Sequence, residues 1–248
     1  MRAKAVFKPR SASYGGPDQQ TGPVMTTTTL PETGFLSQAS DALRRVLVAQ
    51  AHEIALGDGE VVFEQGDMGD ALFAILEGRL EFSILSRDGR KLALDMMGPG
   101  AVFGEIALFD PGPRTATVTA ASPARVCRVR NADVLAEIRN DPDLSADMIR
   151  LAGQRMRWMS RQLIEQVFLP MPSRLARKLL YLTADPGGGP AELHLSQAEL
   201  AEFVGATREA VSKTLGMWKR AGVIAATRGG VVIRDRAALQ VLADPDLV

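Results

Sequence analysis

Short apolar runs separated by glycines occupy the first half of the chain, from about residue 54 to residue 129. Four of these runs are Val61–Phe63, Ala71–Leu76, Leu80–Leu85 and Leu92–Leu94. Many short strands at intervals of roughly 8–12 residues, with turn residues between them, are typical of antiparallel barrels and jelly rolls. Asp88-Gly89 lies between two runs and favours a tight hairpin turn. The pattern therefore predicts an antiparallel β-domain.

The periodicity becomes helical from about residue 133, and residues 143–168 predict one long helix. Along it, seam residues recur at intervals of 3, 4, 3, 4 and 3, the a/d pattern of a coiled coil. These seam residues are Ile149, Ala152, Met156, Met159, Leu163 and Gln166. We predict that they form a parallel homodimer, and packing of the seam against the chain's own barrel is the alternative. Pro170 and Pro172 interrupt the helix.

Two short helices follow in the C-terminal part. Ser196 is placed to cap the first helix, with Glu199 at the third helical position, which makes a capping box. Gly205 can adopt the left-handed conformation that ends a helix, and Thr207 can cap the next one. Two short helices joined by a glycine turn predict a helix-turn-helix.

The second of these helices carries the side chains expected to read DNA. Arginine can pair with guanine, glutamate can accept from cytosine, and lysine can reach guanine or a phosphate. Residues 222–233, with Gly229-Gly230 at their centre, predict a β-hairpin wing whose tip places Arg228 near a phosphate. The predicted DNA-binding residues are Thr207, Arg208, Glu209, Ser212, Lys213 and Arg228. A helical hairpin with solvated charges is the alternative.

Charge supports this division of the chain. The 29 basic and 29 acidic residues cancel over the 248 positions. Residues 173–235 nevertheless hold nine basic and six acidic side chains, and residues 34–172 hold 15 and 19. The C-terminal part is therefore the candidate for nucleic acid.

We predict a disordered tail over 1–33, a sensor domain over 34–131, a helical region over 132–169 and a DNA-binding domain over 170–248. Met25, inside the predicted tail, is an alternative start of the chain.

Composition excludes several classes of function. One cysteine and two histidines leave no cysteine-rich or histidine-rich metal site. No apolar run is long enough to span a membrane, and no apolar segment follows the basic N-terminus as in a secretory signal. No nucleophile–base constellation stands out, so we do not expect an enzyme. We expect a cytoplasmic protein that binds neither a metal nor a membrane.

A second motif, over residues 103–118, has the chemistry of a sugar-phosphate site. Gly104 precedes a short apolar helical turn, whose free N–H groups can face an anion. Arg114 provides a planar fork that fits a phosphate, and Thr115 adds a hydroxyl. Glu105 can accept from ribose hydroxyls. An ion pair between Glu105 and Arg114 at a barrel corner is the alternative on residue types.

With these two motifs in this order, the sequence resembles the CRP/FNR family of bacterial transcription regulators. GEIAL…PRTATV is similar to the family's cyclic-nucleotide cassette, and VGATREAVSK is similar to its recognition segment, over roughly residues 36–235. The resemblance implies ribose contacts at Gly104 and Glu105, with Ile106 and Ala107 completing the cassette. It implies phosphate contacts at Arg114 and Thr115. The nucleotide-binding residues that it implies are Gly104, Glu105, Ile106, Ala107, Arg114, Thr115, Met159 and Ser160.

Three departures from the family pattern bear on the ligand and the DNA. Met159 replaces a threonine that contacts the base, the Glu105-to-Arg114 interval is one residue shorter than in the enteric receptor, and Lys213 replaces an arginine. Cyclic AMP is the favoured allosteric ligand, and Thr115 keeps cyclic GMP open. The implied partners are double-stranded DNA, a second copy of the chain and, if the protein activates, RNA polymerase.

Other functions also stay open on the sequence. One is a regulator of this fold that ignores cyclic nucleotides. Another is a nucleotide-binding adaptor without DNA binding, which the recognition helix and wing disfavour. A cupin-like barrel enzyme would need metal ligands inside the barrel, and the two widely separated histidines disfavour it.

Overall fold

The computed structural model describes residues 29–184, 192–227 and 229–244. Within these ranges the chain folds into an N-terminal β-domain, a helical segment and a C-terminal domain of helices with a small sheet. This confirms the predicted α+β architecture with its long central helix and winged helix-turn-helix.

The N-terminal domain is a jelly roll. In the described part of the chain it has two four-stranded sheets, with strand orders β1-β8-β3-β6 and β2-β7-β4-β5, and the pairing is antiparallel. The short strands therefore build two packed sheets, as predicted. The strands are His52–Leu56 (β1), Val61–Phe63 (β2), Ala71–Glu77 (β3), Leu80–Leu85 (β4), Lys91–Met97 (β5), Val102–Phe103 (β6), Thr117–Ala120 (β7) and Ala124–Arg130 (β8).

Aromatic rings fill the space between the sheets. Phe63, Phe73, Phe82 and Phe103 pack with ring centroids 5.1–6.1 Å apart, in stacked, tilted and edge-to-face pairs. The predicted hairpin joins β4 to β5, and Gly89 in its turn has φ +81°, a region that glycine adopts without strain. Phe103 ends β6, so the core holds the residue directly before the cassette.

Helices cover the outer face of the β1-β8-β3-β6 sheet and lead out of the domain. The long helix α4 begins after the cap Asp141, whose side chain accepts from the N–H of Asp143. Leu144, Met148 and Leu151 are buried against the β-domain, whereas the remainder of α4 carries mostly exposed or half-buried side chains. The helices are Asp41–Ala49 (α1), Ile106–Phe109 (α2), Asn131–Ile138 (α3) and Pro142–Phe168 (α4).

The C-terminal domain begins directly after the predicted proline break. Its elements are Met171–Leu182 (α5), Glu192–Leu193 (β9), Gln197–Val204 (α6), Arg208–Arg220 (α7), Ile224–Thr227 (β10), Gly230–Ile233 (β11) and Arg236–Ala243 (α8). The sheet order is β10-β11-β9, and Leu175, Leu179, Leu200 and Leu239 are fully buried in the core of this domain. The predicted helix-turn-helix is α6–α7, and β10–β11 is its wing.

The structure corrects one detail near the N-terminus. A 3-10 helix, Gly34–Gln38, precedes α1, and the Ser40 hydroxyl accepts from Leu43 N–H and starts α1 as a new helix. The predicted disorder does not reach residue 33: the Thr33 hydroxyl donates to the Pro99 carbonyl at 2.8 Å, and Leu30 packs against buried residues. Residues 1–28 lie outside the described part of the chain.

Candidate functional site: a nucleotide cassette and a DNA-reading helix

The cassette is formed where β6 turns into the short helix α2. Gly104 has φ +85°, and a Cβ atom there would lie 2.8 Å from Arg114 Nη1 and 2.9 Å from the Ala71 carbonyl oxygen. Both the dihedral angle and the close approach require glycine. Glu105 follows as the cap of α2, so the unpaired N–H groups at the start of this helix lie beside the cassette side chains.

Arg114 is almost completely buried and is held on two sides by backbone. Its Nη2 donates to the Ala71 carbonyl at 2.9 Å and its Nη1 to the Gly104 carbonyl at 3.2 Å. Its Cζ atom lies 4.2 Å from the centre of the Phe63 ring. Burial lowers the pKa of Arg114, and the neighbouring Asp70 opposes this, but an arginine stays charged in proteins. Of its five N–H donors, two are used by these carbonyls and three remain.

Glu105 forms an ion pair with the long helix rather than with Arg114. Its Oε1 lies 2.9 Å from Arg155 Nε, and the residue is 3% exposed. The alternative of a Glu105–Arg114 barrel-corner ion pair is therefore not what the structure contains. The carboxylate and the guanidinium of the cassette stay separate groups, as a site for a sugar and a phosphate requires.

These residues border one cavity between the jelly roll and α4. It brings together seven of the eight predicted nucleotide-binding residues: Gly104, Glu105, Ile106, Ala107, Arg114, Thr115 and Met159. Its other walls are mostly apolar, as in small-molecule sites generally. The remaining lining residues are Phe63, Phe82, Leu94, Asp95, Met97, Phe103, Pro113, Ala116, Val118, Arg155 and Trp158.

Ser160 is the predicted nucleotide-binding residue that the cavity does not include. It is exposed on α4, and the helical period places it about 200° around the helix from Trp158, which lines the cavity. Ser160 therefore contributes nothing to the pocket of its own chain in this structure.

Sequence reasoning missed the two charged members Asp95 and Arg155 of the cavity and its one tryptophan, Trp158. Arg155 and Trp158 precede Met159 by four and one positions, so the helical period could have placed Arg155 on the face of Met159. The guanidinium of Arg155 also lies 5.8 Å from the Trp158 ring centre. Asp95 gave no sequence signal, because its place depends on the pairing of β4 with β5.

The predicted DNA-reading helix is built as its sequence indicates. Ser196 and Glu199 form the complete capping box of α6, and Gly205 ends that helix with φ +60°. The Thr207 hydroxyl accepts from the Ala210 N–H at 3.2 Å and starts α7. The side chains of Arg208, Glu209, Ser212 and Lys213 are exposed on the first two turns of α7.

The wing has the predicted hairpin form, with Thr227 paired to Gly230 across its turn. Arg228, the predicted phosphate contact at the tip, lies outside the described residues.

The seam of α4 is exposed. Ile149, Met156, Met159 and Leu163 are 74%, 65%, 46% and 66% exposed, Ala152 is half-buried, and Gln166 is exposed. Isolated exposed apolar residues are ordinary, but a contiguous row of them marks an interaction surface. Most of the seam therefore does not pack against the chain's own barrel, which is the alternative to dimerisation, and only Met159 of the seam also borders the cavity.

Two features are absent from the described residues. These residues contain no cluster of three or more His, Cys, Asp or Glu side chains that could hold a metal ion. In the same ranges, no helix is long and apolar enough to cross a membrane.

Comparison with known proteins gives two family matches. Residues 53–141 match the profile of a cyclic nucleotide-binding domain, and residues 173–242 match that of a Crp-like helix-turn-helix domain. The first match contains the cassette, and the second contains the predicted DNA-reading helix.

Individual relatives agree over most of the chain. A CRP-like cAMP-activated global transcriptional regulator of Mycobacterium tuberculosis is 31% identical over 215 residues, which cover 85% of this chain and 96% of that protein. The cyclic AMP receptor protein of Thermus thermophilus is 32% identical over 185 residues, 75% of this chain and 85% of that protein. Among solved structures, a CRP/FNR-family transcriptional regulator from Thermus thermophilus is 28% identical, with a TM-score of 0.69, over 78% of this chain and 99% of that chain.

Proposed function

Because the chain belongs to the CRP/FNR family of transcription regulators, we propose that it is a dimeric regulator that binds palindromic promoter DNA when a cyclic nucleotide occupies its pocket. One observation carries this proposal. The buried Arg114, the carboxylate of Glu105 and the dimer-helix residues Arg155, Trp158 and Met159 border a single cavity. A ligand there touches the sensor domain and the helix that leads to the DNA-binding domain.

The binding mode follows from the charges around the cavity. The N–H donors of Arg114 that the Ala71 and Gly104 carbonyls do not use bind the cyclic phosphate together with the hydroxyl of Thr115, with the start of α2 beside them. Glu105 accepts from the ribose hydroxyl while it keeps Arg155 as its counter-ion. The base then lies against the apolar walls near Met97, Trp158 and Met159.

Cyclic AMP is the nucleotide that we favour. Two relatives above 30% identity are named as a cAMP-activated regulator and a cyclic AMP receptor protein. Met159 has no donor for a hydrogen bond to an adenine, and Thr115 beside the phosphate keeps cyclic GMP as the second candidate.

Dimerisation through the seam completes the mechanism. A parallel pair of α4 helices would place two α7 helices about one DNA turn apart (~34 Å), as two half-sites of a palindrome require. Ser160 lies one position after the seam residue Met159, so in a dimer it borders the partner chain rather than its own pocket. The nucleotide favours the DNA-binding state through contacts that differ between two states of the dimer.

The proposed surroundings are those of a bacterial transcription regulator. The protein acts in the cytoplasm on double-stranded DNA, contacts RNA polymerase if it is an activator, and has no catalytic role. A family member that binds DNA without any cyclic nucleotide is the second candidate function, supported by the exposure of the α7 side chains in this conformation.

Calorimetric titration of nucleotide-stripped protein tests the proposal, with cyclic AMP first and cyclic GMP second. It is paired with fluorescence anisotropy of a labelled TGTGA-type palindrome at each nucleotide concentration. Tight binding of cyclic AMP together with tighter DNA binding is the expected result. Tighter binding of cyclic GMP would assign the second nucleotide. DNA binding that does not change with either nucleotide would assign the nucleotide-independent function.

A further inference from the structure

Strand β5 of the sensor domain is also part of the packing of the DNA-binding domain. Ala93, in the middle of β5, is 2% exposed and belongs to the same buried cluster as Leu200 and Phe203 of α6. Met96 packs against that cluster from the same strand. β5 is an edge strand of its sheet, so this packing covers an edge that would otherwise be open.

Two polar contacts cross the same boundary. The Tyr181 hydroxyl of α5 donates to Asp95 Oδ1 at 2.8 Å. At the other end of β5, Lys91 Nζ lies 2.6 Å from Glu81 Oε1 and 3.2 Å from Glu202 Oε2 of α6. Burial lowers the pKa of Lys91, but the bonds and charges of Glu81 and Glu202 outweigh it and raise the pKa overall. Both contacts therefore involve a charged group of β5.

The Asp95 contact is the more buried of the two. Asp95 is 3% exposed, and its Oδ1 also accepts from the Met96 N–H at 2.8 Å. The buried Lys178 lies 5.4 Å from the Tyr181 ring centre, and Asp95 is among the charges that act on it. Burial and the neighbouring Asp95 raise the pKa of Tyr181, so its hydroxyl stays a donor at neutral pH. A carboxylate this deeply buried gains much from such a donor.

Asp95 also lines the nucleotide cavity. One residue thus borders the ligand site and bonds to the DNA-binding domain. In this orientation the DNA-reading side chains of α7 stay exposed, so the contact is compatible with DNA binding.

We infer that Asp95 and Lys91 are positioning residues, which keep the DNA-binding domain in the orientation that binds DNA. Through Asp95, this positioning also becomes sensitive to a ligand in the nucleotide cavity. The sensitivity to a ligand rests on the proposed function, whereas the positioning of the domain does not.

Tyr181→Phe removes the contact with Asp95 and leaves the nucleotide cavity intact, because Tyr181 does not line that cavity. Loss of a bond to a buried charged group is expected to weaken DNA binding about tenfold. Glu202→Gln removes the negative charge from the second contact and is expected to weaken DNA binding less, because Glu202 is more exposed than Asp95. Glu192→Gln removes an equal charge from the same domain, at an exposed site, and serves as the matched control.

The readouts are DNA affinity with and without nucleotide, nucleotide affinity by calorimetry, and hydrogen exchange of the β5 amides. Faster hydrogen exchange at the Met96 amide in Tyr181→Phe, together with weaker DNA binding, supports the positioning of the DNA-binding domain by this contact. Unchanged DNA affinity, or tighter DNA binding without nucleotide, overturns it. If the wild-type protein binds no cyclic nucleotide, the proposed function fails, and hydrogen exchange and DNA affinity without ligand still decide whether the contact positions the domain.

Conservative replacement separates positioning from packing. Asp95→Asn keeps an oxygen that can accept from Tyr181, and Asp95→Leu does not. If the bond positions the domain, Asp95→Asn retains more of the dependence of DNA affinity on nucleotide than Asp95→Leu. Equal loss of this dependence in both variants overturns the role of the bond.

Discussion

Replacing Arg114 is the most direct test of the candidate pocket. The guanidinium uses two N–H groups on the carbonyls of Ala71 and Gly104, and it lies over the Phe63 ring. The three remaining N–H groups are available to an anion. Arg114→Leu removes both sets of contacts, whereas Arg114→Lys keeps a positive charge but not the planar fork.

The expected magnitudes differ for folding and for binding. Leaving the Ala71 carbonyl without a partner in a buried site costs about 1–3 kcal/mol of folding stability. The relief of an arginine from burial offsets part of this cost. For the ligand, two charge-assisted bonds to a phosphate contribute roughly 1.5–3 kcal/mol each, so their loss weakens binding by at least about 100-fold. Arg114→Lys should fall between the wild-type protein and Arg114→Leu.

Calorimetry with cyclic AMP measures the binding effect, and thermal unfolding without ligand measures the folding effect. Trp158 lines the cavity and is one of two tryptophans, so its fluorescence provides a second titration signal. Arg125→Lys is a suitable control, because Arg125 forms exposed ion pairs with Glu53 and Glu77 outside the cavity. A folded Arg114→Leu protein that binds the nucleotide with wild-type affinity would refute the assigned phosphate site.

Three further predictions concern DNA, dimerisation and folding. Arg208→Ala should cost about 1–3 kcal/mol of DNA affinity and relax the preference at one base pair. Fluorescence anisotropy on operators with single base-pair substitutions checks this. An equal loss of affinity on every sequence would indicate a phosphate contact instead. Leu163→Asp should shift the protein to monomer in analytical ultracentrifugation. Ile164→Asp, at a similarly exposed position off the seam, should not. A Leu163→Asp protein that remains dimeric would contradict dimerisation through the seam. Ser196→Ala should lower unfolding free energy by about 1 kcal/mol in urea melts, and no change would show that the capping box is dispensable.

Local chemistry explains the parts of the fold that the sequence predicts well. The capping box at Ser196 and the left-handed Gly205 depend on residues within a few positions of each other, so their sequence pattern carries nearly all the information. The same holds for the Asp88-Gly89 turn and for the proline break after Phe168.

Long-range pairing explains what the sequence could not provide. The Glu105 carboxylate can form an ion pair with any nearby cation, and residue types alone indicate Arg114 as one possible partner. The structure gives it Arg155, because α4 borders the cavity beside the cassette. Ser160 was likewise placed by resemblance to the family, whereas the rotation of α4 turns Met159 and Trp158 toward this cavity. Composition alone places Thr33 in a disordered tail, whereas its hydrogen bond to Pro99 joins it to a residue 66 positions away.

The contacts of the cavity also limit how a ligand can change the DNA-binding domain. A shift of the population from 1:99 to 99:1 needs about 5.5 kcal/mol of differential binding, summed over a dimer. Two connections on each chain can contribute: Glu105 to Arg155 of α4, and Asp95 to Tyr181 of α5. If each bond changes by about 1.5 kcal/mol between states, the four bonds of a dimer supply roughly that amount. Removing the Tyr181 hydroxyl should therefore reduce the response to nucleotide without abolishing it, because the Glu105–Arg155 connection to α4 remains.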